Sequence, residues 1–254
     1  MDVRTRARLD ALNLRFYERN AVAFSRSRDH PWPGWQRLLG GLPVRPRLRV
    51  LDIGCGNGRL ATFLLEARAQ DEGLDYLGVD ACAAMVDIAR SRHTSASGPA
   101  HVDRLRFECA RAPAPHAATG AFDLVAAFGV LHHVAGFEAR RALLHWLARR
   151  LAPAGVLALS FWRFGERARF DRKRRAWRRV DGVDPARLEA GDHLLGWRET
   201  NELRYCHASS DEEIARLLRG LPLRVHADYL DDGRSRDLNR YLLLGPADAR
   251  APSR

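Results

Sequence analysis

Residues 50–58 read Val50-Leu51-Asp52-Ile53-Gly54-Cys55-Gly56-Asn57-Gly58, a short apolar run that ends in closely spaced glycines. Helical periodicity follows, so the pattern predicts a strand, a tight turn and a helix. Glycine adopts positive φ and lets the backbone approach a ligand closely. The spacing is GxGxG instead of the GxGxxG that seats a pyrophosphate on a helix N-terminus, and Asp52 would repel phosphate. The turn is therefore predicted to face a cationic ligand.

Strands and helices alternate after this turn. Strands are predicted over residues 48–53, 76–79, 104–109, 122–128 and 156–161, and helices over 58–68, 83–91 and 137–151. A turn at Pro153-Ala154-Gly155 is expected to precede the fifth strand. Such alternation implies right-handed crossovers and parallel strands. The predicted fold class is α/β, with a doubly wound, mostly parallel seven-stranded sheet and a C-terminal β-hairpin.

The flanks complete a single predicted domain over residues 1–254. Residues 10–44 are expected to form a lid segment next to a ligand-binding core at 45–161. Within it, one or two short helices are predicted between about residues 12 and 39, interrupted at residues 31–34. Residues 162–208 are interpreted as a basic insertion followed by a polar loop. A capping box of Ser210 and Glu213 begins a closing helix at 210–219, and strands at 223–229 and 239–244 form the hairpin. The tail after Pro246 is predicted to be disordered.

Composition narrows the class of protein. The net charge of +11 fits a polyanionic partner, although an arginine-rich chain with Lys173 as its single lysine is also what a GC-rich coding sequence produces. The four cysteines form no CxxC pair, so neither a zinc site nor a disulfide framework is expected, and no metal is predicted. The sequence shows neither a signal peptide nor a run of about 18 apolar residues. A cytoplasmic protein without membrane contact is expected.

Asp80 ends the second predicted strand, where a carboxylate can accept hydrogen bonds from ribose hydroxyls. Together with the glycine turn, it resembles class I S-adenosylmethionine (SAM)-dependent methyltransferases, which have a Rossmann-like methyltransferase fold. The resemblance implies SAM as cofactor. It also implies these cofactor-binding residues: Asp52, Gly54, Cys55, Gly56, Asp80, Ala81, Ala110, Arg111, Phe128 and Val130. The superfamily commonly has an acid near the adenine amino group, where this chain reads Cys109-Ala110-Arg111, so backbone groups are expected to recognise the adenine.

The flanking segments resemble the wobble-uridine tRNA methyltransferases, which esterify the carboxylate of 5-carboxymethyluridine. The segments concerned are Phe24-Ser25-Arg26-Ser27-Arg28, Pro31-Trp32-Pro33, Val130-Leu131-His132-His133, Gly191-Asp192-His193-Leu194-Leu195-Gly196-Trp197 and Arg204-Tyr205-Cys206-His207. The family's usual segment after the fifth strand is missing, since Phe161-Trp162-Arg163-Phe164 runs into a basic tract of this chain's own.

The resemblance suggests roles on the acceptor side. Arg28 is predicted to hold the acceptor carboxylate bidentately, or else to form a surface salt bridge, and Tyr205 and His207 are predicted to line the acceptor pocket. His132 and His133 are expected to line the donor pocket or to cap a helix, with proton transfer as the alternative role. Tryptophans 32 and 197 are expected either to stack on a nucleobase or to belong to the core.

A basic tract is the predicted site for tRNA phosphates, with a solvated loop as the alternative. It consists of Arg163, Arg167, Arg169, Arg172, Lys173, Arg174, Arg175, Arg178 and Arg179. The family resemblance also admits a small activator subunit. The predicted function is thus methylation of a 5-carboxymethyluridine-type wobble base in tRNA. Two alternatives remain open: a methyltransferase for a small carboxylate or hydroxyl compound, and a non-catalytic RNA-binding protein.

Overall fold

The computed structural model describes residues 1–68, 73–94, 104–113, 120–165, 167–197 and 200–246. Its helices are α1 (Val3–Arg26), α2 (Trp35–Leu39), α3 (Arg59–Ala67), α4 (Ala83–His93), α5 (Phe137–Ala148), α6 (Ala168–Asp171) and α7 (Asp211–Leu218). Its strands are β1 (Arg47–Ile53), β2 (Gly73–Asp80), β3 (Arg104–Cys109), β4 (Phe122–Ala127), β5 (Leu151–Trp162), β6 (Arg174–Arg175), β7 (Asp192–Gly196), β8 (Leu203–His207), β9 (Leu223–Asp231) and β10 (Asn239–Pro246). Within these ranges, no helix combines the length and apolar character needed to cross a membrane. The tail predicted to be disordered lies outside the described residues.

Seven strands form one sheet in the order β3-β2-β1-β4-β5-β10-β9. Strands β1 to β5 pair in parallel, whereas β10 runs antiparallel to both β5 and β9. The predicted α/β fold, with its mostly parallel seven-stranded sheet and closing hairpin, is confirmed. The strand order reverses between β1 and β4, and in such sheets ligands bind outside the carboxyl ends of the strands at that point.

Both faces of the sheet are covered by helices. Leu48 and Val50 of β1 belong to the apolar layer beneath α2, α3 and α4, while Leu51 and Ile53 belong to the opposite layer, beneath α5 and α7. Side chains alternate between the faces of a strand, so a strand covered on both faces needs apolar residues at nearly every position. This requirement explains the continuous apolar run that precedes the glycine turn.

The N-terminal segment differs from its prediction. A single helix, α1, begins at Val3 and continues to Arg26, whereas short helices were expected only from about residue 12. Asp2 caps it by accepting a hydrogen bond from the Thr5 backbone nitrogen at 3.0 Å, and Leu9 and Phe16 are buried. Residues 3–11 are rich in arginine, so local periodicity gave a weak signal, and contacts with the rest of the fold stabilise the helix.

The predicted turn before the fifth strand lies inside β5. Pairing with β4 skips from Leu151 opposite Phe122 to Val156 opposite Leu124, so residues 152–155 interrupt the ladder. A Cβ at Gly155 would collide with the Phe122 carbonyl oxygen. The turn predicted at residues 153–155 is therefore an irregularity within β5. Helix α5 ends at Ala148, three residues before the predicted end at residue 151.

The basic insertion is not a polar loop, as predicted, but contains a second sheet. Strands β6, β7 and β8 form an antiparallel sheet in that order. Leu194, Tyr205 and Cys206 are buried, and Tyr205 packs in one apolar cluster with Leu9 of α1. The short apolar runs of β7 and β8 acquire a hydrophobic environment only when α1 folds over them, so their patterning alone did not reveal them.

Candidate active site

A cavity of about 980 Å³ lies at the carboxyl ends of the parallel strands. Its walls include Ile53 from β1, Asp80 from β2, Phe128 after β4 and Trp162 at the end of β5. Helix α1 closes one side, where Tyr17 is among the lining residues. The volume suits a cofactor together with part of an acceptor, and the position is the one that the strand order favours.

The glycine turn has the predicted backbone geometry. Gly54, Gly56 and Gly58 have φ values of 71°, 54° and 74°, in the left-handed region that disfavours other residues. A Cβ at Gly54 would collide with the side chain of Val130. The turn thus packs against the segment after β4 and leaves its backbone facing the cavity.

Two carboxylates stand beside this turn. Asp52 is buried and accepts a hydrogen bond from the Tyr76 hydroxyl at 2.5 Å. Burial raises the pKa of Asp52 to about 7, although the hydrogen bond from Tyr76 acts in the opposite direction. Asp80 accepts hydrogen bonds from the backbone nitrogens of Gly56 and Cys82, each at 2.9 Å, and therefore ties the glycine turn to β2. A cationic ligand at this end of the cavity would offset the cost of keeping both carboxylates ionised.

All of the predicted cofactor-binding residues line the cavity. They are Asp52, Gly54, Cys55, Gly56, Asp80, Ala81, Ala110, Arg111, Phe128 and Val130. Arg111, at the position where the superfamily commonly has an acid, donates to Asp10 of α1 at 2.7 Å. Its side chain is therefore directed to the N-terminal helix. The contacts of these residues with SAM stay a prediction.

Arg28 and His132 also line the cavity, as does His133. The Arg28 guanidinium lies 3.9 Å from the centroid of the Phe24 ring and donates to the Ser27 hydroxyl at 3.1 Å. Burial lowers the pKa of His132 well below its ordinary value, and the positive charges nearby act in the same direction. The same causes lower the pKa of His133 to about 3. Both imidazoles are therefore neutral at pH 7 and weakly basic.

The predicted stacking residues Trp32 and Trp197 line the cavity as well. Trp32 is half-buried, and the Arg59 guanidinium lies 4.7 Å from the centroid of its ring. Trp197 is buried and packs edge-on against Phe16 at 5.7 Å between ring centroids. Trp32 therefore has a more accessible ring for stacking than Trp197.

Tyr205 and His207, which were predicted to line the acceptor pocket, are not among the residues that line the cavity. Both side chains are buried away from the cavity, and both contact Asp192: the Tyr205 hydroxyl donates to it at 2.7 Å and His207 Nδ1 lies 2.7 Å from it. Alternation along β8 explains this placement, because residues 205 and 207 share one face of the strand while Arg204, on the other face, lines the cavity.

The far face of β8 belongs to a buried charge network. His207 Nε2 lies 2.6 Å from Glu213, which also accepts from Arg140 Nε at 2.9 Å, and Glu189 accepts from the same guanidinium. Burial by itself lowers the pKa of His207, but its hydrogen bonds to Asp192 and Glu213 raise it above the ordinary value. The network joins α5, β7, β8 and α7, so its role is to hold the second sheet against the main one.

Three lining residues, Tyr17, Lys173 and Arg204, were not assigned to the site from the sequence. Arg204 lies within a segment that resembles the wobble-uridine enzymes, and the resemblance carries no information on strand faces. In a strand over residues 203–207, Arg204 lies on the opposite face from Tyr205 and His207. The Tyr17 hydroxyl lies 2.7 Å from His133 Nε2, a contact between residues 116 positions apart that carried no local signal.

The basic tract does not form one continuous helix. Arg167 pairs with Asp237, and Arg174 pairs with Asp171 at 3.3 Å, while Lys173 lines the cavity. Four of its arginines are exposed and have no carboxylate within 4.0 Å among the described residues: Arg169, Arg172, Arg178 and Arg179. The tract available to a polyanion is therefore smaller than predicted.

Comparison with known proteins agrees with this arrangement. The profile of the methyltransferase domain family matches residues 51–157. A tRNA (carboxymethyluridine(34)-5-O)-methyltransferase of Xenopus tropicalis is 33% identical over 146 residues, which cover 58% of this chain and 20% of that protein. A 27-O-demethylrifamycin SV methyltransferase of Amycolatopsis mediterranei is 39% identical over 127 residues, which cover 49% of this chain and 42% of that protein. The chain thus spans less than half of either relative.

The fold has solved counterparts. A magnesium protoporphyrin IX methyltransferase from Synechocystis PCC 6803, crystallised with bound SAH, superposes with a TM-score of 0.55 at 19% sequence identity. The superposition covers 91% of this chain and 84% of that one.

Proposed function

We propose that the protein, whose residues 51–157 match the methyltransferase domain family, transfers the methyl group of SAM to the carboxylate of a 5-carboxymethyluridine-type wobble base in tRNA. One observation carries the proposal: the cavity has carboxylates at its glycine turn and the cationic side chains of Arg28, Lys173 and Arg204 elsewhere in its walls. The carboxylates beside the glycine turn suit the amino group and sulfonium of SAM, and these three cations suit an anionic acceptor. The similarity to a carboxymethyluridine methyltransferase supports the same acceptor.

The protonation states of the site favour an acceptor that is already ionised. When bound, SAM supplies a methyl group on a positively charged sulfur, which a carboxylate oxygen can take without losing a proton. A hydroxyl acceptor would need a general base, and the lowered pKa values of His132 and His133 make both imidazoles poor ones. The protein's contribution to an anionic acceptor is orientation and exclusion of water.

The test is a methylation assay on tRNA that carries 5-carboxymethyluridine. With labelled SAM, we expect a methyl ester at that nucleoside, detected by mass spectrometry and returned to the acid by mild alkali. The same tRNA with unmodified uridine is the control. A methyl group on a ring atom or a ribose, or no transfer at all, would contradict the proposed acceptor.

A small-molecule acceptor is the second candidate, favoured by the 39% identity to the rifamycin methyltransferase. The exposed arginines of the basic tract distinguish a tRNA acceptor from a small-molecule acceptor, because a small acceptor needs no phosphate contacts. That a small activator subunit takes part stays a prediction.

Replacing Arg172, Arg178 and Arg179 together with alanine should weaken tRNA binding and flatten its salt dependence. Each phosphate contact contributes roughly one unit to the slope of log K against log salt, so the slope should fall by about two to three units. Filter binding over a salt series measures it. SAM affinity should be unchanged, since none of the three lines the cavity.

The matched control replaces three exposed arginines near the amino ends of strands β3, β5 and β9, which removes the same charge: Arg104, Arg149 and Arg219. If both triple variants change the slope equally, the effect comes from net charge and the tract is not the tRNA site.

A further inference from the structure

Arg204 is a buried cation without an anionic partner. Its residue is 6% exposed, and no carboxylate lies within 4.0 Å of its guanidinium in the part of the chain that the structure describes. Its Nε atom is buried and has no hydrogen-bond partner among those residues. The guanidinium contacts the hydroxyl of Tyr17. Since arginine keeps its charge in proteins, this arrangement is costly unless an anion joins it.

Arg140, another buried arginine, has the anionic partners that Arg204 lacks among the described residues. Its guanidinium is surrounded by Glu189, Glu213 and the Val134 carbonyl oxygen. The fold therefore compensates a buried arginine where the role is structural. The charge of Arg204 has no such carboxylates around it in the described part of the chain, so an anion bound in the cavity would have to compensate it.

The surroundings of Arg204 orient the guanidinium. Its Cζ lies 5.3 Å from the centroid of the Phe16 ring and 5.4 Å from that of Trp162. Stacking on aromatic faces holds the plane of the guanidinium, which leaves its fork of N–H donors suited to a carboxylate. A phosphate in the tRNA backbone is a less suitable occupant, because the site is enclosed within the cavity.

A second unpartnered polar atom lies close by. His132 Nδ1 is buried and has no hydrogen-bond partner among the described residues, and the His132 ring is 5.1 Å from the same Trp162 ring, centroid to centroid. The charge of Arg204 helps to keep this imidazole neutral. A neutral imidazole can present Nδ1–H as a donor to an anion.

We propose that Arg204, with His132 Nδ1 as a second contact, is the residue that binds the acceptor's carboxylate and so determines specificity for an anionic acceptor. The inference rests on the proposed function, which it deepens by assigning the recognition of the carboxylate to β8. It gives Arg28, whose guanidinium stacks on the Phe24 ring, no part in that bidentate contact.

The test compares Arg204→Gln and Arg204→Lys with Arg150→Gln. Arg150 is a matched control because its Nε is also buried without a partner and its Cζ lies 3.9 Å from the centroid of an aromatic ring, that of Trp146, but it does not line the cavity. Calorimetry for SAM and thermal unfolding are run on each variant. The acceptor probes are 5-carboxymethyluridine and its neutral amide, 5-carbamoylmethyluridine, added with SAH present.

For Arg204→Gln we expect kcat/KM for methyl transfer to fall about a hundredfold or more, with SAM affinity within about threefold of the parent. The parent should bind the acid better than the amide, and Arg204→Gln should lose this preference. Arg204→Lys keeps the charge but not the planar fork, so its rate and its preference for the acid should lie between those of the parent and of Arg204→Gln. It serves as the test variant if Arg204→Gln does not fold. Arg150→Gln should keep both the rate and the preference.

The failures are distinguishable. If the parent forms the ester and Arg204→Gln or Arg204→Lys keeps the parental rate and preference, the inference is overturned and the proposed function stands. If the parent forms no ester but prefers the acid to the amide through Arg204, the proposed function fails and the carboxylate site remains. If the parent shows no preference between the two probes, the inference is overturned.

Discussion

Replacing Arg140 with alanine is expected to lower the free energy of unfolding by about 3–5 kcal/mol. The Arg140 guanidinium has no solvent exposure and donates to Glu213, Glu189 and the Val134 carbonyl oxygen. Its removal would leave two carboxylates facing a buried space without their cation, and His207 would become the remaining hydrogen-bonding partner of Glu213. An uncompensated buried charge is among the most destabilising outcomes of a single substitution.

The neighbouring residue supplies a matched control. Arg141 is on the same helix but exposed, and it pairs with Glu138 across one helical turn at 3.6 Å. Such exposed pairs contribute well under about 1 kcal/mol, so Arg141→Ala should be nearly neutral. Urea unfolding followed by tryptophan fluorescence measures both variants. Equal, small losses would show that the buried network contributes little and that other contacts hold the second sheet in place.

Replacing Asp80 with alanine is expected to weaken binding of both SAM and SAH by at least about a hundredfold. The carboxylate accepts hydrogen bonds from Gly56 and Cys82 at 2.9 Å, so the substitution releases the glycine turn from β2. It also removes the charged acceptor predicted for the ribose hydroxyls. Hydrogen bonds to a charged group contribute about 1.5–3 kcal/mol each, and losing two accounts for an effect of this size.

Asp87→Ala is the control for Asp80→Ala. Asp87 lies on the following helix, α4, with an exposed side chain, and it does not line the cavity. Isothermal titration calorimetry with SAM and SAH, together with a thermal unfolding curve, separates loss of binding from loss of folding. Parental affinity in a folded Asp80→Ala protein would refute the assignment of this residue to the cofactor.

Much of the main sheet could be predicted because its signals are local. The apolar run of β1, the glycines that need positive φ and the acid at the end of β2 lie in sequence order along one strand-turn-helix-strand unit. Parallel strands then bring their carboxyl ends to one edge without further information. For this reason the residues predicted around the glycine turn all line the cavity.

The acceptor side depends on contacts between distant parts of the chain. Helix α1 covers the cavity because Tyr17 and Asn13 meet His133 and Tyr205, which lie far away in sequence. The face of β8 that holds Arg204 is directed to the cavity by the buried network on its other face, and that network needs Arg140 of α5 and Glu213 of α7.

The sequence by itself determined the fold class, the turn that faces a cationic ligand and the acids beside it, since each follows from residues in one continuous segment. The tertiary structure determined that Tyr205 and His207 stabilise the second sheet and that Arg204 lines the cavity. The physical reason is that a residue's side on a short strand has no local signature when both faces are buried. The orientation of such a residue depends on what the rest of the chain places against each face of the strand. In β8 one face contacts a salt-bridge network and the other faces the cavity.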